Sequence, residues 1–224
     1  MVKVACCWDD GVETDIRLVE ILQKYGVKAT FNINSGLHYR KVRRTSTWQL
    51  KGDPNFVNRF LSIEDMKTLY RGFKIGAHGV FHLSYVPEKF DEFVTDIVED
   101  RENLEDIFQC KVLGMAYPCG LWDEKIAEAL REKGFVYGRT VVRTDNVAAF
   151  KHPLILETSC HFLEDNFYDK FAAAKANNGI FYFWGHSCEM QSLPEKWAEF
   201  ERRMAFISAD PEVQFIDVAD IVAK

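Results

Sequence analysis

With 224 residues, 47% hydrophobic and 14% aromatic, the chain can bury one sizeable core, and α/β barrels of this length are usually one domain, here 1–224. A net charge of −6 gives no basic field for nucleic acid, and no apolar run approaches the roughly 20 residues that span a bilayer. The chain enters a strand directly, without a basic segment, apolar stretch and cleavage site, so a cytoplasmic location is expected; a secreted chain trimmed of its signal would read the same.

In chain order, residues 2–7 form a short, apolar, partly β-branched run that reads as a buried strand. It stops at Asp9-Asp10-Gly11. That triplet is open to two readings, an Asx turn leading into a helix cap or a pair of carboxylates held at a strand end by a metal ion. Residues 14–25 carry Ile16, Val19, Ile21 and Leu22 at helical spacing, and 27–33 is the next strand. A long polar stretch, 35–58, follows, with His38, Arg40, Lys41, Arg43, Arg44, Lys51 and Trp48. It reads either as a solvated excursion or as a lid whose Trp48 stacks on a substrate ring and whose cations meet an anionic group.

Ser62 with Asp65 marks a capped helix start, and strand 73–77 delivers His78. Helix 90–108, strand 112–116, helix 123–133, strands 135–142 and 153–158, helix 165–176, strand 180–184, helix 194–207 and strand 213–216 complete the pattern, before a final helix. Apolar strands alternating with helices argue a parallel sheet covered on both faces, closed or nearly closed into a barrel of about seven strands. In such barrels the chemistry lies at the carboxyl ends of the strands. Asp9, Asp10, Asn34, His78, Tyr117, Arg139, Thr158 and His186 all fall there.

His78 and His82 have the i, i+4 spacing that puts two imidazoles on one face of a helical turn. With Asp10 they offer two nitrogens and an oxygen, a three-ligand set that leaves a coordination position open, as in catalytic sites for Zn²⁺ or another divalent transition metal. Asp9 is then free for proton transfer. The six cysteines include no Cys-x-x-Cys pair and are expected as free buried thiols.

These segments resemble the polysaccharide deacetylases of the NodB-homology type, carbohydrate esterase family 4. Cys7-Trp8-Asp9-Asp10-Gly11 resembles that family's Thr-Phe-Asp-Asp-Gly, and 28–33 its second strand. The run from Ile75 to His82 resembles Gly-x-His-(Ser/Thr)-x-x-His, Tyr117-Pro118-Cys119-Gly120 the Arg-x-Pro-x-Gly loop, and Trp184-Gly185-His186 the late strand that supplies a histidine. The resemblance implies a distorted barrel in which Asp10, His78 and His82 bind the metal. It implies that Asp9 is the general base on water, His186 the general acid to the leaving amine, and a backbone N–H near Tyr117 part of the oxyanion site. Tyr117, Pro118, Trp48 and Arg139 are candidates for substrate contact.

Two positions depart from the family pattern. Its loop arginine is Ala116 here, with Arg139 the candidate substitute, and its motif hydroxyl is Gly79. Thr158, Cys160, His161, Cys188 and Glu189 are further candidates, read either as turn residues or as pocket lining. The expected activity is removal of an N-acetyl group from an amino sugar or oligosaccharide. The alternatives are an amidohydrolase on a small C–N compound and a silent carbohydrate-binding barrel.

Overall fold

The computed structural model describes residues 1–46 and 56–223. Strand β1 (Val2–Asp9) is buried at every residue except Lys3, as a strand covered on both faces must be. The first half of the chain continues through α1 (Asp15–Lys24), β2 (Thr30–Ile33), a ribbon of β3 (Arg44–Thr45) and β4 (Arg59–Phe60), α2 (Ile63–Leu69), β5 (Lys74–Ala77) and α3 (Phe90–Phe108). The second half adds β6 (Gly114–Ala116), α4 (Glu124–Glu132), β7 (Tyr137–Arg143), β8 (Leu156–Thr158), β9 (Cys160–His161), α5 (Phe167–Ala176), β10 (Ile180–Gly185), α6 (Pro194–Ser208) and β11 (Val213–Phe215). Helix starts are fixed locally. The Ser62 hydroxyl and the Asp65 carboxylate cap each other's backbone at α2, and Asp123 accepts from the Ile126 amide at 2.8 Å to start α4.

The sheet runs β8-β7-β6-β5-β2-β1-β10-β9 with every pair parallel, and β11 joins β1 at Val2–Val4. Its two ends, β8 and β9, are one stretch of chain broken at Ser159. The Ser159 amide donates to Tyr182 O at 2.7 Å, and its hydroxyl accepts from Tyr182 N at 3.0 Å. The stretch therefore pairs with β7 by its first half and with β10 by its second, which brings the sheet round almost to closure. Counted once, it makes a barrel of seven strands, the architecture expected from the alternation of elements.

The core lies between sheet and helices. Trp8 is fully buried there, edge-on to Phe162 at 4.9 Å and Phe200 at 5.3 Å. Three local expectations are corrected. The polar stretch after β2 carries the β3–β4 ribbon, whose two-residue strands are too short to show an alternating pattern. The final helix is only a short 3-10 turn at Val218–Ile221. Four cysteines are buried thiols, but Cys110 and Cys119 are exposed. Among the described residues no helix is long and apolar enough to cross a membrane.

Candidate active site

Strand β1 delivers two carboxylates to the rim of the barrel in different ways. Asp9 is the last strand residue and points into the interior, 1% exposed. Asp10 and Gly11 both turn left-handed, with φ of +79° and +68°, so the chain reverses and Asp10 faces the cavity at the strand ends. Aspartate tolerates that conformation and glycine favours it. A Cβ on Gly11 would lie 2.9 Å from His38 Cε1 and 3.0 Å from Met66 Sδ. The Asp10 amide donates to Asn32 O at 3.0 Å, which ties the turn to β2.

Asp10, His78 and His82 converge. One donor atom of each lies within 4.8 Å of the others, and Asp10 Oδ1 is 3.6 Å from His78 Nε2 and 4.0 Å from His82 Nε2. The two histidines do not share a helical turn, which corrects the reading of their spacing. Gly79 and His82 have φ of +78° and +55°, and this loop folds the two rings to 4.7 Å in a T-shaped pair. The loop is held from behind. Asn34 Nδ2 donates to His78 O at 2.5 Å and Gly79 O at 3.0 Å, and Asp100 on α3 accepts from His78 N at 2.8 Å and Ser35 N at 2.7 Å.

The donor set fits a divalent transition metal. His78 Nδ1 lies 2.8 Å from Ala116 O, so that nitrogen carries the proton and Nε2 presents its lone pair towards Asp10. Burial, chiefly, lowers the His78 pKa to about 4 and keeps the ring neutral, the form a ligand needs.

Asp9 is bound on both oxygens. Asn32 Nδ2 donates to Oδ1 at 2.8 Å, and Arg139 Nη2 donates to Oδ2. Burial opposes ionisation of Asp9, but the Arg139 charge, with His186 and the Asn32 hydrogen bond, outweighs it and holds the carboxyl below the usual range. Arg139 is the cross-strand partner of Ala116, so a guanidinium reaches the acid from the strand next to the one the family pattern uses. Its Cζ also lies 4.5 Å from the Trp184 ring centroid.

His186 faces both acids, with Nε2 3.8 Å from Asp9 Oδ2 and 3.9 Å from Asp10 Oδ2. Burial works against its charged form. Glu189, Asp10 and Asp9 outweigh burial and raise the pKa to about 9.

These groups line a cavity of about 600 Å³, bounded also by Phe60, Arg44, Phe81 and Trp184. Of the other sequence candidates, Tyr117 is buried with its hydroxyl on Leu154 O at 3.0 Å, and its amide donates to Arg139 O at 3.1 Å. That amide is therefore spent. The Gly120 and Leu121 amides are bonded within the loop and Pro118 has none, which leaves the amide of Cys119. Pro118 is buried within the same loop. Trp48 and Lys51 lie outside the described residues. His38 is no lid cation, being buried with Nδ1 2.7 Å from Leu61 O, and Arg43 is paired to Glu13 and Asp65. Among the described tryptophans Trp184 lines this cavity, Trp8 and Trp197 are core, and Trp122 lies elsewhere.

Sequence reasoning passed over Asn32 and Asp100. Each carried a signal, Asn32 as a lone amide inside Phe31-Asn32-Ile33, and Asp100 as one of two acids, with Asp96, four residues apart on the buried face of α3.

Comparison with known proteins bears on the family and the fold. A family profile described as polysaccharide deacetylase matches residues 2–138. No curated protein matches. A putative polysaccharide deacetylase from Mycobacterium smegmatis superposes with a TM-score of 0.70 at 17% identity, over 99% of this chain and 90% of that one. An allantoinase, PuuE, gives 0.70 at 10% identity over 99% and 89%. A CE4-family pseudoenzyme from Bacillus anthracis gives 0.54 at 12% identity over 99% and 65%. At these identities the superpositions establish a shared fold. The profile, which spans more than half of the sequence, shows that the chain belongs to the polysaccharide deacetylase family.

Proposed function

We propose that this protein is a metal-dependent hydrolase that removes an N-acetyl group from an amino sugar or oligosaccharide. The observation that carries this is the convergence of Asp9, held by Asn32 and Arg139, and His186 on the Asp10/His78/His82 niche. A base without its proton and an acid with one, in a single cavity, are what hydrolysis of an unactivated amide requires and what a binding module does not.

Asp10, His78 and His82 would hold Zn²⁺ or another divalent transition metal, which when bound supplies a Lewis acid for the acyl oxygen and for water. Asp9 takes a proton from the attacking water, its carboxylate oriented by Asn32 and Arg139. The Cys119 amide donates to the acyl oxygen as negative charge develops there. His186 gives its proton to the nitrogen as the C–N bond breaks, so that the amine leaves neutral. Water thereby supplies the hydroxyl of the acid, and proton exchange with solvent resets both side chains. A cavity of about 600 Å³ lies within the ordinary range for small-ligand sites, and the Trp184 and Phe81 rings offer apolar faces to a sugar.

The test is release of acetate from N-acetylglucosamine oligomers with added Zn²⁺, for the wild type beside Asp9→Asn. Turnover lost in the variant supports the proposal. Ring opening of a small cyclic amide of the allantoin type, with no acetate from the glycan, would move the assignment to a small C–N substrate. Retained metal with neither activity would make the barrel a silent one.

A further inference from the structure

Glu189 has no role in the chemistry described so far, yet it bridges two imidazoles. One oxygen, Oε1, lies 3.4 Å from His186 Nδ1, and the other, Oε2, lies 2.9 Å from His161 Nε2. Glu189 stands in the 3-10 turn Ser187–Met190 that follows His186, and its amide closes that turn on His186 O at 3.2 Å. His161 comes from β9, the half of the closing stretch that pairs with β10 at Trp184. The bridge therefore links the end of β10 to the seam of the barrel.

The hydrogen bonds set the direction of the bridge. The Leu163 amide donates to His161 Nδ1 at 3.3 Å, so that nitrogen carries the lone pair and the ring proton sits on Nε2, facing Glu189. Glu189 then faces a ring nitrogen on both sides at ion-pair distance. Its second oxygen favours a proton on His186 Nδ1, which leaves His186 Nε2 as the atom turned to Asp9 and Asp10. The His161 and His186 rings both pack edge-on against Trp184, at 4.9 Å and 5.7 Å, which restrains both ends of the bridge.

We propose that Glu189 and His161 are positioning residues for His186, a His161–Glu189–His186 relay that fixes the orientation of the His186 ring and directs its Nε2 proton to the leaving nitrogen. The inference rests on the assignment of His186 as general acid. In the acid step the Nε2–H bond breaks, the new N–H bond forms on the amide nitrogen, and the C–N bonding pair departs with that nitrogen. His186 becomes neutral, with Nδ1 still facing Glu189.

The discriminating measurement compares an amide with an ester whose phenolate leaves without protonation. Wild type, Glu189→Gln, Glu189→Asp and His161→Phe, each loaded with Zn²⁺, are assayed on an N-acetylglucosamine oligomer and on p-nitrophenyl acetate. The relay predicts that Glu189→Gln loses about 100-fold in kcat on the amide at nearly unchanged KM and stays within about threefold of wild type on the ester. His161→Phe should move the same way by less, and Glu189→Asp should recover part of the loss. Nitrogen-15 shifts of His161 should report the Nε2–H tautomer in wild type and lose that signature in Glu189→Gln. Equal losses on both substrates, or none on either, would overturn the relay. So would two equivalents of Zn²⁺ in wild type falling to one in Glu189→Gln, because the cluster would then be a second metal site. If wild type hydrolyses the ester but no amide, the acid assignment itself fails, a result distinct from failure of the relay.

Discussion

Arg139 donates to Asp9 Oδ2 across 130 residues of sequence, from the β7 position directly opposite Ala116 on β6. Both side chains are almost wholly buried. Removing one partner leaves the other as an uncompensated buried charge. Arg139→Leu is therefore expected to destabilise the fold by about 3–5 kcal/mol, measured by urea denaturation. Asp9→Asn in the same background should recover part of that loss, since it removes the orphaned charge, although it abolishes turnover.

Asp15 predicts a pH dependence of stability. It is fully buried and accepts from Tyr70 Oη, Ser187 Oγ and the Val12 amide, and burial raises its pKa to about 7. Because the folded-state value lies above the unfolded one of about 3.9, the folded chain holds this proton more tightly. Its contribution is complete below about pH 4 and is lost as pH rises to about 7. Asp15→Asn should flatten that slope, with urea midpoints between pH 4 and 7 changing less than in wild type. A variant with the wild-type slope would remove Asp15 as its origin.

Gly79 stands where the family pattern has a hydroxyl residue. Its φ is +78°, and a Cβ there would lie 2.5 Å from Asp96 Oδ2. The α3 carboxylate thus occupies the space a side chain would take. Gly79→Ser should cost about 1–3 kcal/mol and weaken metal binding through displacement of His78 and His82. Pairing it with Asp96→Ala should relieve the contact but not the backbone strain, so recovery in thermal melts should be partial.

Metal content gives a direct check on the Asp10/His78/His82 niche. Elemental analysis should find about one metal per chain in wild type and little in His78→Ala. Zn²⁺ at about a hundred times its Kd should add ~2.7 kcal/mol to wild-type stability and nothing to the variant. Chelation should abolish activity, and Zn²⁺ should restore it.

Cys119 borders the cavity, with its exposed thiol 3.3 Å from Ser84 Oγ. The reaction proposed uses its amide and not its sulfur. Cys119→Ala should therefore keep nearly full activity, whereas a bulky maleimide on the wild-type thiol should block turnover. Loss of activity in Cys119→Ala would point instead to a role for the side chain.

The strand–helix alternation, the buried β1 and the positions of helices α1 to α6 were legible in the amino-acid order. Each is written in local periodicity and in single residues with strong preferences, such as Ser62 at a cap and Gly11 at a left-handed turn. What no local pattern carries is register between distant strands. That alone places Arg139 opposite Ala116 and on Asp9, sets His161 against Glu189, and makes 156–161 serve both edges of the sheet. The i, i+4 spacing of His78 and His82 pointed to two rings that do converge, though not through a helical turn. Spacing specifies a helical turn only where the backbone is helical, and here Gly79 and His82 are left-handed while Asn34 and Asp100, from other elements, hold the loop in shape. Sequence determined which chemical groups reach the strand ends. Packing of the whole barrel decided which of them touch, because the free energy that holds a buried carboxylate ionised comes from partners that only the folded chain brings together.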